Sequence, residues 1–287
     1  MDRLLSEILE RRPKMSKGQQ RIADYILNTY EQAAFMTASK LGETVGVSES
    51  TVVRFATVLG KDGYPALQTE LQELIRSKLT TVQRAQMTSG MQRSEVIQNV
   101  MLKDMQDIRA TMETVDYDQY SGAIDDLLQA RRIYVLGLRS AMPIAQFLSY
   151  YLDYLRDGVI FLDGATQNLR ERVVRITEED VLIGISFPRY SARTVDAMKF
   201  AKAHGARVIA LTDREDSPAG KVADCRLCAK SDMASFADSF VAPLSLINAL
   251  LVGMGLSRSN EAEEHLQQLE ELWDSEGVYL DKFGERD

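Results

Sequence analysis

Between residues 132 and 229, short β-rich runs alternate with helical patterns, and this alternation constrains the fold more than any other feature. A strand, a helix and a further strand in succession are typical of a parallel sheet covered by helices on both faces. The sequence predicts strands at 132–136, 159–162, 181–186, 207–212 and 225–229, and helices at 142–155 and 194–204. We therefore expect a three-layer α/β domain with a mostly parallel sheet, in which ligands bind beyond the carboxyl ends of the strands.

The first 79 residues carry helical patterns alone, so the sequence predicts a separate all-α domain in front of the sheet. Within it, residues 36–64 are expected to form two short helices joined by a tight turn. Thr37 is a plausible cap for the first helix, and Gly46 ends it because glycine readily adopts the left-handed conformation of a sharp turn. Ser48 is expected to cap the second helix through its hydroxyl. This geometry is that of a helix-turn-helix.

The second of these helices is predicted to expose a face that suits DNA. Its apolar residues point inward, which leaves Ser50, Thr51 and Arg54 outward near its first turn. Hydroxyls bond to phosphates or base edges, and an arginine reaches a phosphate or the acceptor edge of a guanine. Together with Ser48, these are the candidate DNA-binding residues. The alternative is an ordinary helical hairpin with solvated polar residues.

The charge of the chain is unevenly spread. Residues 1–80 hold 11 Lys and Arg against 10 Asp and Glu, a net charge of +1, whereas the remaining 207 residues carry a net charge of −9. The acidic part therefore lies away from the predicted DNA-binding end, where Lys40 and Lys61 are candidates for phosphate contacts. Because a near-neutral domain has little non-specific affinity, we expect a dimer to bind DNA.

The segment between the two domains starts with residues 80–90, which lose apolar periodicity and are expected to form a linker. Residues 94–114 return to a helical pattern and form a predicted arm that packs on a partner. Further helices are predicted at 117–130, 235–256 and 260–273. The expected boundaries are 1–79 for the helix-turn-helix domain, 80–114 for the linker and arm, 115–258 for the α/β domain and 259–287 for a helical tail.

Two loops that leave predicted strands combine small hydroxyl residues with arginines. Backbone N–H groups at a helix start, joined by hydroxyl and guanidinium donors, suit a phosphate. In the first loop, Gly137 is expected to permit a tight turn. The candidate ligand-binding residues are Arg139, Ser140, Ser186, Arg189 and Ser191 in these loops, and Asp232, which is a candidate to bond a sugar hydroxyl.

Several classes of site and of location are disfavoured. Cys225 and Cys228 form a lone CxxC, but a zinc site needs two further ligands, and redox pairs normally sit at a helix N-terminus. We expect reduced, structural thiols, and neither a metal nor an organic cofactor. The N-terminus is charged within seven residues and the chain has no apolar run long enough to span a bilayer, so a cytoplasmic protein is expected.

These residues carry a family resemblance. Residues 37–41, 47–55 and 59–64 resemble the N-terminal domain of the RpiR-type transcriptional regulators. In that family a helix-turn-helix domain precedes a sugar isomerase (SIS) domain that binds phosphorylated sugars. Residues 131–256 are similar to SIS domains throughout, most clearly at 201–213. The resemblance therefore implies two domains, an operator in double-stranded DNA and a phosphorylated sugar as effector.

The second loop departs from the commonest SIS pattern, Ser-x-Ser-Gly-x-Thr-x-Glu. The second serine, the glycine and the glutamate are replaced by Pro188, Arg189 and Arg193. In the first loop Ala141 stands where many members have serine. Arg139, together with Arg189 and Arg193, can supply forked cationic donors in compensation, which favours a phosphorylated sugar or a more acidic sugar acid. Surface ion pairs are the alternative role for these arginines.

The leading hypothesis is a DNA-binding regulator of carbohydrate metabolism genes, more readily a repressor than an activator, whose affinity for a palindromic operator changes when the effector binds. It is expected to act as a homodimer, with a tetramer as the alternative. The alternatives are a sugar-phosphate isomerase with a DNA-binding extension and a ligand-free assembly protein. An isomerase needs a general base, and Asp232 and His265 are the nearest candidates. Neither has a visible partner in the sequence, so we expect no enzyme.

Overall fold

The structure is a computed structural model that describes residues 3–75, 80–86, 92–164, 169–232, 237–257 and 260–279. It divides into two compact units, Met1–Gly90 and Met91–Asp287. The first is helical and the second contains a five-stranded sheet flanked by helices, which confirms the predicted fold class. None of the described helices combines the length and the apolar content that crossing a membrane requires.

The first unit is a bundle of short helices around one apolar core. Its helices are α1 (Arg3–Arg11), α2 (Lys17–Ala33), α3 (Ala38–Val45), α4 (Glu49–Val58), α5 (Tyr64–Ile75) and α6 (Thr81–Gln86). Ser16 starts α2 with a capping box, in which its hydroxyl accepts from the backbone of Gln19 and the Gln19 side chain accepts from the Ser16 backbone. The fully buried core residues include Ile8, Ile22, Ile26, Leu41, Phe55, Leu67 and Leu71.

Polar side chains of α5 fix the connection between α2 and α3. The hydroxyl of Tyr64 donates to the carbonyl of Met36 at 2.7 Å, and the amide of Gln68 donates to the same carbonyl at 2.9 Å. One turn later, the amide of Gln72 donates to the carbonyl of Ala34 at 3.0 Å. Burial raises the pKa of Tyr64 to about 12, so its hydroxyl keeps the proton that it donates. These bonds satisfy carbonyls at the end of α2 and orient α3.

The second unit begins with two helices and continues as alternating strands and helices. Its elements are α7 (Arg93–Thr114), α8 (Tyr117–Gln129), β1 (Ile133–Gly137), α9 (Met142–Leu155), β2 (Val159–Leu162), α10 (Leu169–Arg172), β3 (Val181–Ile185), α11 (Ala192–Ala203), β4 (Arg207–Thr212), β5 (Cys225–Cys228), α12 (Val241–Leu256) and α13 (Asn260–Glu276). A single 3₁₀ turn, Arg139–Ala141, separates β1 from α9.

All strand pairs of the described sheet are parallel, so the expectation of a mostly parallel sheet is met without an antiparallel member. The strand order is β2-β1-β3-β4-β5. The chain therefore runs outward from β1 in one direction to β2 and in the other to β3, which places the topological switch point between β1 and β3. In such sheets the crevice beyond the carboxyl ends at the switch point is the usual ligand site.

Both faces of the sheet are covered. On one face, Ile133, Val135 and Ile183 pack against buried residues of α8, α9 and α12. On the other face, Tyr134 and Leu182 pack against α11 and the region around α10. Because side chains alternate between the faces of a strand, an unbroken apolar run such as β3 is required to face two helical layers.

The structure differs from the sequence prediction in three places. Residues 80–90 were expected to be a linker, but 81–86 form α6, a helix too short to reveal itself by apolar periodicity, while 87–90 lie outside the described residues. The last buried helix begins at Val241 and not at 235, because Ser239 and Phe240 precede it in non-helical conformation; residues 233–236 lie outside the described part. The short helices α1 and α10 were not predicted.

The predicted arm, α7, packs within the second unit against α12. The sequence predicts a helix over residues 66–79; α5 covers this range as far as Ile75, and residues 76–79 lie outside the described residues.

Candidate functional site

The predicted turn between α3 and α4 has the expected geometry. The hydroxyl of Thr37 accepts from the backbone N–H of Lys40 at 3.1 Å and caps α3. Gly46 ends that helix in the left-handed conformation, with φ of 71°. Gly42 lets the chain return close to α3, because a Cβ there would lie 2.8 Å from the carbonyl oxygen of Val47. Two glycines therefore make the tight approach of α4 to α3 possible.

The start of α4 is exposed on one side and buried on the other. Val52 and Phe55 are fully buried, whereas Ser50 and Arg54 are exposed and Thr51 is half-buried. The Arg54 guanidinium lies back along the helix, where its Nε donates to the Ser50 carbonyl at 3.2 Å. The side chain is thus held on the exposed face of α4 and remains within reach of an incoming polar group.

Ser48 lies at the N-cap position of α4, but the prediction that its hydroxyl caps the helix is wrong, because the described structure has no side-chain capping bond there. Instead the Ser48 hydroxyl lies 2.9 Å from the Ser50 hydroxyl and 2.8 Å from the Thr51 hydroxyl. The three hydroxyls satisfy one another in a cluster at the helix N-terminus. The partial positive charge of that terminus attracts an anionic group to the same place.

The two lysines predicted to contact phosphate lie in different surroundings. Lys40 is exposed and makes a surface ion pair of 3.2 Å with Glu43, the kind of pair that solvent weakens strongly. Lys61 has only 18% of its side chain exposed and lies 2.7 Å from Glu70 and 3.8 Å from Glu7. A phosphate contact by Lys61 requires its ammonium group to leave these carboxylates.

In the second unit, the two loops at the switch point share an unusual backbone conformation. Arg139 follows β1 with φ of 57°, and Arg189 follows β3 with φ of 63°. In the described residues they are the non-glycine residues with positive φ. Such a conformation costs about 1 kcal/mol for a residue with a Cβ, and it concentrates at binding sites. The strain therefore marks the edge of the sheet where a ligand is expected.

In the first loop, Gly137 serves close packing and not a left-handed turn, which corrects the sequence interpretation. A Cβ at this position would lie 2.6 Å from the Ala141 carbonyl oxygen and 2.8 Å from the Cβ of Ala145. The left-handed residue is Arg139, two positions later. Arg139 and Ser140 are both exposed, so their side chains are accessible at the carboxyl end of β1.

In the second loop, serines shape the backbone. The hydroxyl of the buried Ser186 accepts from the backbone N–H of Ser191 at 3.2 Å. The hydroxyl of Ser191 accepts from the backbone N–H of Thr194 at 3.3 Å and caps α11. These two bonds close the loop around Arg189, whose side chain is exposed. Each serine retains its own O–H hydrogen as a donor.

Tyr190 anchors the same loop to β4. Its hydroxyl donates to Asp213 Oδ1 at 2.8 Å. Burial, together with the charge of Asp213, raises the pKa of Tyr190, so the phenol stays protonated. The sequence did not single out Tyr190 or Asp213, since neither lies at a position of the phosphate pattern. Their bond helps to explain how Arg189 is kept in its strained conformation.

Asp232 follows β5 at the same edge of the sheet and is held by α7. Its carboxylate lies 2.6 Å from Lys103 Nζ, and its backbone N–H donates to the Asp107 carboxylate at 2.9 Å. Because strands are about 4.8 Å apart, β5 lies about 10 Å from β3. His265, the other candidate base, lies on α13.

The CxxC is a pair of separated thiols. Cys225 and Cys228 are the first and last residues of β5, so their side chains point to opposite faces and their Cα atoms are about 10 Å apart, too far for a disulfide. Burial raises the pKa of each thiol to about 11. The expectation of reduced, structural thiols is therefore consistent with the geometry.

The opposite, amino edge of the sheet has a polar cavity whose charges are paired. The buried carboxylate of Asp180 accepts from Nε and Nη2 of Arg131, at 3.0 and 2.8 Å. Two further pairs are Asp224 with Lys202 and Asp126 with Arg207, each at 2.8 Å. We find here a set of structural ion pairs, and no candidate ligand residue from the sequence lies among them.

Comparisons with known proteins agree with this architecture. Residues 2–78 match the family model described as "Helix-turn-helix domain, rpiR family", and residues 126–253 match that of the SIS domain. The HTH-type transcriptional regulator HexR of Pseudomonas aeruginosa is 24% identical over 276 residues, which are 94% of this chain and 95% of that protein.

Two solved structures are similar in fold. The sugar isomerase domain of an RpiR transcription factor from Sphaerobacter thermophilus superposes with a TM-score of 0.60 at 24% identity, over 62% of this chain and 99% of that domain. The Vibrio vulnificus NanR protein, complexed with ManNAc-6P, superposes with a TM-score of 0.58 at 20% identity, over 97% of this chain and all of that one. With its rpiR-family helix-turn-helix domain followed by a SIS domain, the chain belongs to the RpiR-type transcriptional regulators.

Proposed function

We propose that this regulator binds a palindromic operator through α4 and that a phosphorylated sugar or sugar acid, bound at the carboxyl edge of the sheet, changes its DNA affinity. It acts in the cytoplasm on carbohydrate metabolism genes, as a repressor. The observation that carries the proposal is the exposed start of α4, which presents Ser50, Thr51 and Arg54 in the same chain as a sheet with two strained arginine loops.

DNA recognition by α4 is supported by shape and by chemistry. The glycines of the turn allow α4 to pack against α3. The exposed residues near its N-terminus include Ser50 and Arg54, beside the acidic Glu49, and a short hydroxyl next to an arginine is a pairing that major-groove helices use. The exposed Lys40 is the first candidate for an added phosphate contact, and Lys61 is the second.

Effector binding at the switch point is supported by the strain in both loops. Arg189 occupies the position at which the commonest SIS pattern has glycine, and it has the positive φ that glycine adopts most easily. An arginine in this conformation lowers the stability of the folded protein. We therefore expect its guanidinium to have a binding role, as a charged donor to an anion. Arg139, Ser140, Ser186 and Ser191 are the other proposed contacts in the loops, and Asp232 lies at the rim.

A homodimer is supported by an apolar stripe on α7. Ile97, Met101, Met105 and Met112 are each more than 60% exposed, and Ile108 between them is 37% exposed. The spacing of four, four, three and four residues is nearly the same in both directions, so an antiparallel copy of the helix matches apolar side chains with apolar side chains.

The helix α12, which contacts α7, also has exposed apolar side chains. It has no ionisable residue in 16, which is typical of a buried helix, yet Val252 is 64% and Leu256 is 84% exposed. Together with the stripe on α7, these residues add to the exposed apolar surface of the second unit. We take a second copy of the chain as the partner.

Met105→Glu tests the dimer. A charge at the centre of the stripe is expected to raise the dissociation constant at least about 100-fold, because an unpaired carboxylate is costly to bury. Light scattering during gel filtration measures the mass. The control Gln106→Glu adds the same charge at the next exposed position of α7. If Met105→Glu has the same mass as the wild type, the stripe is not the interface.

A regulator is favoured over an isomerase by the surroundings of the candidate bases. The carboxylate of Asp232 is engaged by Lys103 and lies beside α7, and His265 lies on α13. Proton abstraction requires a base within hydrogen-bond reach of the substrate carbon acid, and neither residue is in the two arginine loops.

Binding to the DNA upstream of its own gene, at one fixed salt concentration, tests the proposed function. The protein is expected to bind this fragment at least about 100-fold more tightly than a scrambled one, within the usual ratio for specific sites. Arg54→Ala is expected to weaken specific binding by about 10- to 100-fold. Arg109→Ala, the same change on α7, is the matched control. Equal affinity for the two DNA fragments would contradict a role as a sequence-specific regulator.

A further inference from the structure

One side of α7 is bonded to the residues that leave β5. Besides the pair of Lys103 with Asp232, the Thr111 hydroxyl accepts from the backbone N–H of Lys230 at 2.8 Å. Asp107 accepts from the backbone of Asp232. The contacts at 103, 107 and 111 are four residues apart and form one face of the helix. This polar face consists of Lys103, Asp107 and Thr111, and it shares no residue with the apolar stripe on the same helix.

Two of these groups are buried, which makes the contacts specific. Asp107 is 3% and Thr111 is 6% exposed. A buried carboxylate that loses its hydrogen bond incurs a desolvation penalty, so α7 and the residues after β5 are expected to move together or to change partners in a discrete step. Gradual sliding is disfavoured.

A second contact links α7 to the arginine loop after β3. Phe187, in that loop, packs edge to face on Phe240 with ring centroids 5.4 Å apart. The preceding residue, Ser239, donates from its hydroxyl to Asp104 Oδ1 on α7 at 2.6 Å. Two residues therefore separate the loop of Arg189 from α7. A displacement of the loop backbone reaches the helix through packed groups.

In the sequence, α7 lies between the helix-turn-helix domain and the sheet. It is the first described helix of the second unit, and the preceding unit is the helix-turn-helix domain. We propose that α7 is the element through which the effector changes DNA affinity: its polar face responds to the arrangement of Lys230–Asp232 at the sheet edge, and Asp104 responds to that of Ser239. This inference rests on the proposed function. An effector that binds one arrangement of these residues more tightly shifts the population of α7 positions. The DNA affinity of the protein changes with that population.

The alternative is that the polar face only holds α7 in place. In that case, removing its bonds lowers the unfolding temperature without affecting the response to effector in the folded protein. The two roles are separable because Lys103 and Thr111 lie on α7 and not in the arginine loops, and Asp232, the partner of Lys103, follows β5, two strand spacings from β3. Their removal leaves the arginine loops and α4 intact.

The test uses the full-length double variant Lys103→Met, Thr111→Val, which removes two polar contacts with little change in volume. Lys103→Met alone is a milder variant in case the double variant is poorly folded. Arg109→Met is the control, because Arg109 is exposed on α7 and its guanidinium pairs with Glu113 on the same helix. The probes are glucose 6-phosphate, N-acetylmannosamine 6-phosphate and 6-phosphogluconate, with inorganic phosphate as a simple anion.

Two quantities are measured for each protein: probe affinity by calorimetry, and operator affinity by fluorescence anisotropy with and without probe. The wild type and Arg109→Met are expected to show an effector-dependent change in operator affinity of about 5- to 150-fold. In the polar-face variant the change is expected to fall below about twofold, with probe affinity and probe-free operator affinity within about threefold of wild type.

A variant that keeps the wild-type change in operator affinity would overturn the role of α7 while leaving the proposed function intact. Loss of probe binding in the variant would also overturn it, because the polar face would then belong to the binding site itself. A wild-type protein that binds its operator but responds to none of the probes would contradict the effector part of the proposed function and, with it, the role of α7.

Discussion

The two edges of the sheet use arginine in opposite ways. At the amino edge, Arg131 has an ordinary backbone and bonds through two nitrogens to a buried carboxylate, Asp180. At the carboxyl edge, Arg139 and Arg189 have left-handed backbones and exposed side chains. The first arrangement lowers the energy of the folded chain, whereas the second raises it. Residue type alone therefore does not separate a structural arginine from a candidate binding residue, and backbone conformation and burial are what distinguish the two edges.

Arg131→Met is expected to have the largest effect on stability. It leaves the buried Asp180 carboxylate without its main donor, and a buried carboxylate that loses its charged partner is strongly destabilising. Urea unfolding followed by the fluorescence of Trp273, the single tryptophan and a residue of α13, reports on this unit. Arg132→Met, the same change at the exposed neighbouring position, should cost under about 0.5 kcal/mol. Equal costs would remove the distinction between a paired and a solvated arginine.

Arg189→Ala is expected to act on binding and not on folding. Loss of a charged partner of the phosphate should weaken phosphosugar binding by about 2 kcal/mol, roughly 30-fold, and so abolish the response at moderate concentrations. Arg189→Gly sharpens the test, because it removes the same side chain and also relieves the left-handed strain. Its unfolding free energy should exceed that of Arg189→Ala by about 1 kcal/mol. If calorimetry shows wild-type phosphosugar affinity in both variants, Arg189 is not an effector contact and the proposed difference between the two edges is wrong.

The pH dependence of stability should be the smallest effect and should come from the amino edge. Burial alone would raise the pKa of Asp180, but the hydrogen bonds from Arg131 and Thr177 outweigh it and lower the pKa; at Asp224 the bond from Lys202 does the same. The folded state then binds fewer protons than the unfolded state, whose aspartates titrate near a pKa of about 3.9. This stabilisation is present above about pH 4 and is lost as the pH falls through the lowered pKa of the folded state.

Urea midpoints measured from pH 7 down to pH 3 follow this loss. Arg131→Met should reduce the slope of the urea midpoint against pH, because it removes the main cause that lowers the pKa of Asp180. Arg189→Ala, at the other edge, should leave the slope unchanged. A reduced slope in Arg189→Ala and not in Arg131→Met would reverse the assignment.

Much of this architecture could be predicted from the sequence because it depends on local patterns. The α9 and β2 boundaries coincide with the predicted 142–155 and 159–162, since each element has a continuous apolar pattern with clear ends. The turn after α3 was predicted for the same kind of reason, a capping threonine followed by a glycine at the end. Six-residue α6 escaped because so few residues do not define a period.

The candidate site was less predictable, because its geometry depends on residues far apart in the chain. The positive φ of Arg189 was implicit in a glycine position of the SIS pattern, but its anchor, the bond from Tyr190 to Asp213, joins two loops that sequence patterns treat separately. The contacts of Asp232 with α7 span about 130 residues, and no local period reveals them. At Ser48 the N-cap position was predicted correctly, but the position alone did not determine the hydrogen-bond partners of its hydroxyl.

The most direct test measures operator affinity at increasing concentrations of the three sugar phosphates named above, for the wild type, Arg189→Ala and Arg131→Met, at a temperature at which all three are folded. The account predicts that one probe changes operator affinity in the wild type and in Arg131→Met, and that Arg189→Ala binds the operator but no longer responds. An Arg189→Ala protein that responds like the wild type would contradict the claim that the strained arginine edge is the effector site.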